Sequence, residues 1–309
     1  MFAEQPADSY FSAQGYFLPW HRMFVYLYEK ALREECGYTG YQPYWDWPEY
    51  AYNQQDSPLF DNSSTSIGGD GAYIPHGTVN FTAPGLPGPF SFPRPPGTGG
   101  GCIQSGPFKN MTITLGPLSA PTIAGNKNPG PNGLGYNPRC LVRDFLTSQS
   151  TTQLTYEDVT DLITQSDSIH TFEPKSEGAV SVHAGGHGYV GDDMGDLFSS
   201  PNDPVFYMHH AMLDRVWTIW QSVDPATRIF ALDGTETFFN CMVPHFTFLL
   251  TLQEFLFSLI LWSTIQIDPP SANVTLDDPI HFGAVNGFRQ IPITDVMSST
   301  AGPFCYMYE

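Results

Sequence analysis

Apolar residues fall at helical spacing in three stretches of the chain. From Met23 to Glu35, Phe24, Leu27, Tyr28, Ala31 and Leu32 recur between Glu29, Lys30, Arg33 and Glu34, which predicts an amphipathic helix stopped at Gly37. Between Asp203 and Gln221, Val205, Met208, Met212, Val216 and Trp220 predict a second helix with a wide buried face. The stretch from Leu154 to Ile169 is weaker, and Thr155 followed by Glu157 gives it a helix start with an acid in the first turn. Residues 56 to 139 carry no such period. Gly, Pro, Ser and Asn dominate there, and the run from Pro84 to Gly101 suits neither helix nor central strand, so a long surface loop is expected. The run from Phe246 to Ile265 is apolar except for little more than Gln253 and Glu254. It has the length of a membrane span but no flanking Lys or Arg. A span is not expected; a buried helical hairpin, or an insertion foreign to the domain over residues 241 to 267, is.

Composition narrows the class. The 309 residues carry 12 Lys and Arg against 31 Asp and Glu, a formal charge of −19, with no basic run, and this excludes a nucleic-acid partner. A hydrophobic content of 41% supports a sizeable core, and 15% aromatic residues against 14% charged ones exclude wholesale disorder. The cysteines Cys36, Cys102, Cys140, Cys241 and Cys305 form no CxxC pair, which favours disulfides over a zinc ribbon. Asn-x-Ser/Thr sequons stand at Asn62, Asn80, Asn110 and Asn273. With the cysteines and the acidity they lead to the expectation of a secreted glycoprotein, although the start Met-Phe-Ala-Glu-Gln-Pro-Ala-Asp has neither the basic nor the apolar region of a secretory leader.

The candidate chemistry lies in the histidines. His183 and His187 form HxxxH, a spacing that turns two imidazoles to one face of a helix and suits a metal ion. A zinc protease is disfavoured because Ala184 stands where that mechanism needs a glutamate base. The string Ser200-Pro-Asn-Asp-Pro-Val-Phe-Tyr-Met-His-His-Ala-Met-Leu-Asp-Arg-Val-Trp follows. It resembles the second copper signature of the tyrosinase, catechol oxidase and hemocyanin group, with Asp203, Pro204, Phe206, His210 and Asp214 in register. Phe17-Leu-Pro-Trp-His-Arg-Met-Phe-Val-Tyr-Leu-Tyr-Glu resembles the first signature through His21 and Glu29. Tyr44-Trp-Asp-Trp and Pro303-Phe-Cys-Tyr-Met-Tyr are similar to the fungal branch. The resemblance spans most of the chain except residues 241 to 267.

That resemblance implies a mainly α fold: a single domain, residues 1 to 309, in which a four-helix bundle carries a dicopper centre with three imidazoles per copper and long Gly/Pro-rich loops surround it. His183, His187 and His210 match the second copper's ligands, and His21 matches the third ligand of the first. Neutral imidazole binds both copper oxidation states. His209, about 100° from His210 around a helix, is expected to aim elsewhere and to serve as a hydrogen-bonding group behind the ligands. Asp214 is read as fixing the ring of His210, pairing with Arg215 or standing as a solvated charge, and Phe206 as packing on the ligand rings.

The match breaks at the first copper. The family's second ligand there lies nine residues before the position of His21, where this chain has Ser12, and no histidine precedes it. Either a segment is missing from the N-terminal side or the site is lost; the former is the expectation. Residues 241 to 267 interrupt text that runs on continuously in fungal members, as a retained intron would. Without them the cysteines are even in number, and Cys102 with Cys140 and Cys36 with Cys305 are the pairing expected among the three that four cysteines allow, the connectivity being open in the sequence. The implied reaction is oxidation of o-diphenols to o-quinones by dioxygen. Glu177 resembles the glutamate that positions a water for taking a phenol's proton, but Ala184 replaces the asparagine that assists it, so catechol oxidase activity is expected over monophenol hydroxylation. A one-copper protein held by His183, His187 and His210, an oxygen carrier and a non-catalytic relic remain alternatives. His76, His170 and His281 are expected in surface or loop roles.

Overall fold

The computed structural model describes residues 14–82, 91–119, 122–130, 133–178, 180–236, 271–282 and 289–309. Ser12 and the apolar stretch 241–267 lie outside the described residues.

Its core is helical. Helix α1 (Gln14–Cys36) and α7 (Val205–Val223) pack along each other; α7 also packs on α5 (Val182–Val190), α5 on α4 (Ile169–Glu177), and α4 closes back on α1. Helix α2 (Thr147–Gln153) covers α5, and α3 (Tyr156–Thr164) covers α4 and α7. The short α6 (Asp192–Gly195) follows α5. Among the described residues no helix is long and apolar enough to cross a membrane.

Each helix has a local cause. Helix α7 is buried on nearly every side, including Val205, Phe206, Met212, Val216, Trp217 and Trp220, and its entry is held by Asp203, whose Oδ1 accepts the Val205 N–H at 3.0 Å while the fully buried Arg143 grips the same carboxylate at 2.7 Å. Helix α3 starts on a reciprocal capping box between Thr155 and Asp158. Helix α1 begins well before the predicted Met23. Gly15 and Pro19 depress its intrinsic propensity, and burial of Tyr16, Phe17, Leu18 and Trp20 outweighs them. The glycines of α5 are packing devices: Gly185 lies against Gln153 and Leu154, and a Cβ at Gly186 would collide with the imidazole of His209.

The Gly/Pro-rich region is more built than a surface loop. Four short antiparallel strands, β1 (Gly71–Tyr73), β2 (Val79–Thr82), β3 (Ser91–Arg94) and β4 (Gly100–Ile103), pair as β1 with β4 and β2 with β3. Strand β5 (Thr112–Ile113) pairs with β6 (Arg139–Cys140). Ile103, Ile113 and Leu141 form a small core of their own beside the Cys102–Cys140 disulfide. Strands this short have no periodicity to read, which is why the sequence pattern missed them.

The second expected disulfide is not formed, since Cys36 and Cys305 are both free and exposed. Phe304 packs on Tyr26 of α1 at 5.0 Å between ring centroids, whereas Cys36 stands ten residues further along the helix. That is about 15 Å at 1.5 Å per residue, far beyond the reach of about 7 Å between Cα atoms that a disulfide allows.

Candidate metal centre

Helix α5 places His183 and His187 one turn apart, and α7 brings His210 against them. Ring centroids are 4.7 Å apart for His183 and His187, 5.2 Å for His183 and His210, and 5.4 Å for His187 and His210. The Nε2 atoms of His187 and His210 face each other at 3.3 Å. One donor nitrogen from each of His183, His187, His209 and His210 lies within 4.8 Å of the other three. His21, from α1, stacks on His210 with centroids 4.2 Å apart and planes within 9°.

Backbone carbonyls set the tautomers. A carbonyl only accepts, so His187 Nδ1 donates to Met194 O at 2.7 Å and His21 Nδ1 to Phe17 O at 2.7 Å, leaving both Nε2 atoms with a lone pair. Burial pulls the basicity of His21 down to about 3 and of His187 to about 4, and holds His183, His209 and His210 well below the usual imidazole range. These rings are therefore neutral, the form that ligates a metal. His209 Nδ1 and His210 Nδ1 are buried without a hydrogen-bond partner. Four neutral rings converge here, the lone pair on His187 Nε2 faces His210 Nε2, and the Nδ1 atoms of His209 and His210 are buried without a partner; such a set of neutral nitrogen donors is the chemistry copper takes, so the residues present fit copper.

Phe206 packs on His210 at 4.1 Å, and Phe17 meets His183 at 4.7 Å and His21 at 4.8 Å. His209 stands closer to the cluster than its helical offset suggests. Its ring is 4.8 Å from His187, because the missing Cβ of Gly186 opens the space, and its Nε2 donates to His183 O at 3.1 Å. Behind it stand Trp47 at 5.2 Å and Trp45 at 6.0 Å, two residues of the Tyr44-Trp-Asp-Trp motif whose task was not legible from spacing.

Asp214 neither reaches His210 nor pairs with Arg215. It is buried, Oδ1 pairs with Arg22 at 2.5 Å, and Oδ2 accepts from Tyr306 and Tyr308 at 2.5 and 2.6 Å. Ala184 offers no polar atom beside His183. Glu177, at the end of α4, hydrogen-bonds His183 through its backbone; its Oε2 is sealed without a partner, and burial lifts its carboxyl to about 8. One turn earlier lies Glu173, 3% exposed and unforeseen, raised far above the carboxylate range by burial, then by Glu177 and Asp233. Its spacing to Glu177 on one helix face was the available signal. His170 pairs with Asp233 at the surface, His281 Nδ1 meets Gln290, and His76 approaches the buried Asp144 at 3.4 Å.

The chain matches the tyrosinase family, described as the common central domain of tyrosinase, over residues 4–223. It is 45% identical over 236 residues to the tyrosinase-like protein orsC of Emericella nidulans, covering 74% of this chain and 63% of that protein, so it spans less than two thirds of that relative's length. It is 39% identical over 306 residues to tyrosinase P of Aspergillus terreus, covering 95% of this chain and 75% of that one. Among solved structures, a polyphenol oxidase of Thermothelomyces thermophila, solved as a mutant, is 39% identical with a TM-score of 0.76, covering 98% of this chain and 74% of that chain. A helical bundle with convergent imidazoles, matched along most of its length, belongs to the tyrosinase family.

Proposed function

We propose that the protein is a copper-dependent oxidase that converts o-diphenols to o-quinones, two diphenols giving up four electrons and four protons to reduce one dioxygen to two waters. The observation that carries the reading is the meeting of His183, His187 and His210 with neutral rings and, at His187, a carbonyl-fixed tautomer. Copper bound there supplies the electron transfer between phenol and dioxygen. The chain's own residues hold and orient: His183, His187 and His210 ligate, His21 supplies a nitrogen to the first-copper side, and Phe206 and Phe17 press the rings into place and exclude water. Ala184 lacks the amide that would help Glu177 hold a proton-accepting water, which supports diphenol oxidation over monophenol hydroxylation. Oxygen uptake by copper-loaded protein tests this: fast uptake with a catechol and slow, lagging uptake with a monophenol are expected, and equal rates without a lag overturn the preference.

Ser12, at the position matching a first-copper ligand, favours a second reading, in which one copper is held per chain. Elemental analysis separates the two as one or two coppers per protein. The exposed asparagines Asn62, Asn80, Asn110 and Asn273 support secretion with glycosylation; a mobility shift on glycosidase treatment of the protein from its natural source is the check.

A further inference from the structure

Three buried aspartates follow the HxxxH helix within the string Gly191-Asp-Asp-Met-Gly-Asp, and donors from the Gly/Pro-rich half of the chain hold each of them. The chain reverses at Gly191, where φ is +65° and a Cβ would collide with the guanidinium of Arg94. Asp192 Oδ1 accepts the Ile123 N–H at 3.2 Å. Asp193, fully buried, accepts the Val142 N–H at 2.9 Å and pairs with Arg139 at 2.6 Å. Asp196 accepts the N–H groups of Leu118 and Ser119, each at 2.7 Å. Held among them is Met194, fully buried, whose carbonyl receives the His187 Nδ1 proton at 2.7 Å.

The geometry points to a positioning role for this turn: Asp193, gripped by Arg139 and Val142, fixes the Met194 carbonyl so that it selects the His187 tautomer with its lone pair on Nε2 and aims that atom at copper. The inference rests on the reading of His187 as a copper ligand. Its physical basis is that a ring bonded through Nδ1 to an immobile acceptor cannot flip or exchange tautomers, so metal binding carries no further cost for ordering it. It also gives a purpose to the loop-rich region. Arg139, Val142, Leu118, Ser119 and Ile123 together form a cradle for one ligand's hydrogen-bond acceptor.

Two double variants of the full chain test it without leaving a buried charge unpaired. R139M/D193N keeps an oxygen that accepts from Val142, and R139M/D193L removes it. The buried Leu162 of α3, which belongs neither to the turn nor to the donors that hold it, supplies a control, Leu162→Ala, for general loss of stability. Copper affinity is read by chelator competition, and the His187 tautomer by nitrogen NMR of the metal-free protein, which needs no copper. R139M/D193L is expected to bind copper at least about 10-fold more weakly and to lose the single Nδ1–H signal, while R139M/D193N and Leu162→Ala keep both. Equal affinity and an unchanged tautomer in both double variants overturn the inference, as does equal loss in both and in Leu162→Ala. Failure of the unaltered protein to take up any copper overturns instead the copper reading on which the inference rests.

Discussion

Gly186 makes the metal centre depend on a missing atom. Its Cα faces the edge of the His209 imidazole, so a methyl group there must displace either α5 or the ring. Gly186→Ala is expected to cost about 1–3 kcal/mol by overpacking and, because α5 carries His183 and His187, to weaken copper binding as well; thermal denaturation and copper titration measure the two effects separately. Asp192 makes the opposite case, a group whose replacement stabilises. Burial, with Asp193 beside it, lifts its carboxyl to about 8, and Oδ2 has no partner. Folding therefore favours the protonated acid. No stability is lost below about pH 4, where the unfolded group is also protonated, and the loss grows as pH rises from about 4 to about 8. Asn at this position keeps an oxygen for the Ile123 N–H and tolerates the φ of +44°. Asp192→Asn is thus expected to raise the melting temperature at pH 8, with a gain of about 2 kcal/mol or more that vanishes near pH 4. A gain independent of pH would refute this account.

At the scale of elements, the seam between α1 and α7 is locked by polar groups rather than by packing alone. Arg22 is fully buried over Trp217, at 3.8 Å from the ring centroid, and donates to Met297 O, Thr218 Oγ1 and Gln221 Oε1 besides its pairing with Asp214. Tyr306 and Tyr308 complete the shell of Asp214 and strap the chain's last described residues across α1 and α7. Removing one member leaves the opposite charge buried. Asp214→Ala is expected to cost about 3–5 kcal/mol in denaturant unfolding and to expose residues 303–309 to limited proteolysis. None of this was visible in the spacing of residues. The buried stripe of α7 was legible because its apolar positions repeat with the helical period, and HxxxH was legible because two histidines that share one face of a helix have a fixed offset. The partners of Asp214 were not, since Arg22 and the two tyrosines lie far from it in sequence and only tertiary packing selects among the possible cations. The place of His209 was legible only in part for a related reason: its angle around α7 follows from sequence, but the room it occupies is created on α5.

For the molecule as a whole, the cross-link between Cys102 and Cys140 joins the fold's stability to its chemistry. It closes a loop with a sequence separation of 38 inside the region poorest in regular structure. The chain-entropy relation assigns such a loop about 4 kcal/mol of stabilisation, acting on the unfolded chain. Cys140 adjoins Arg139 on β6, and β6 is held by its pairing to β5 and by this bond. Arg139 in turn grips Asp193, the residue just before Met194, whose carbonyl receives the His187 proton. Replacing both cysteines by serine is therefore expected to do two separable things. The unfolding midpoint in denaturant falls by an amount equal to roughly 4 kcal/mol, and copper leaves the folded protein faster in a chelator chase, under conditions where unfolding is too slow to account for the release. A loss of stability with an unchanged copper off-rate would mean that the cradle holds its shape without the bond, and that the disulfide acts on the unfolded chain alone.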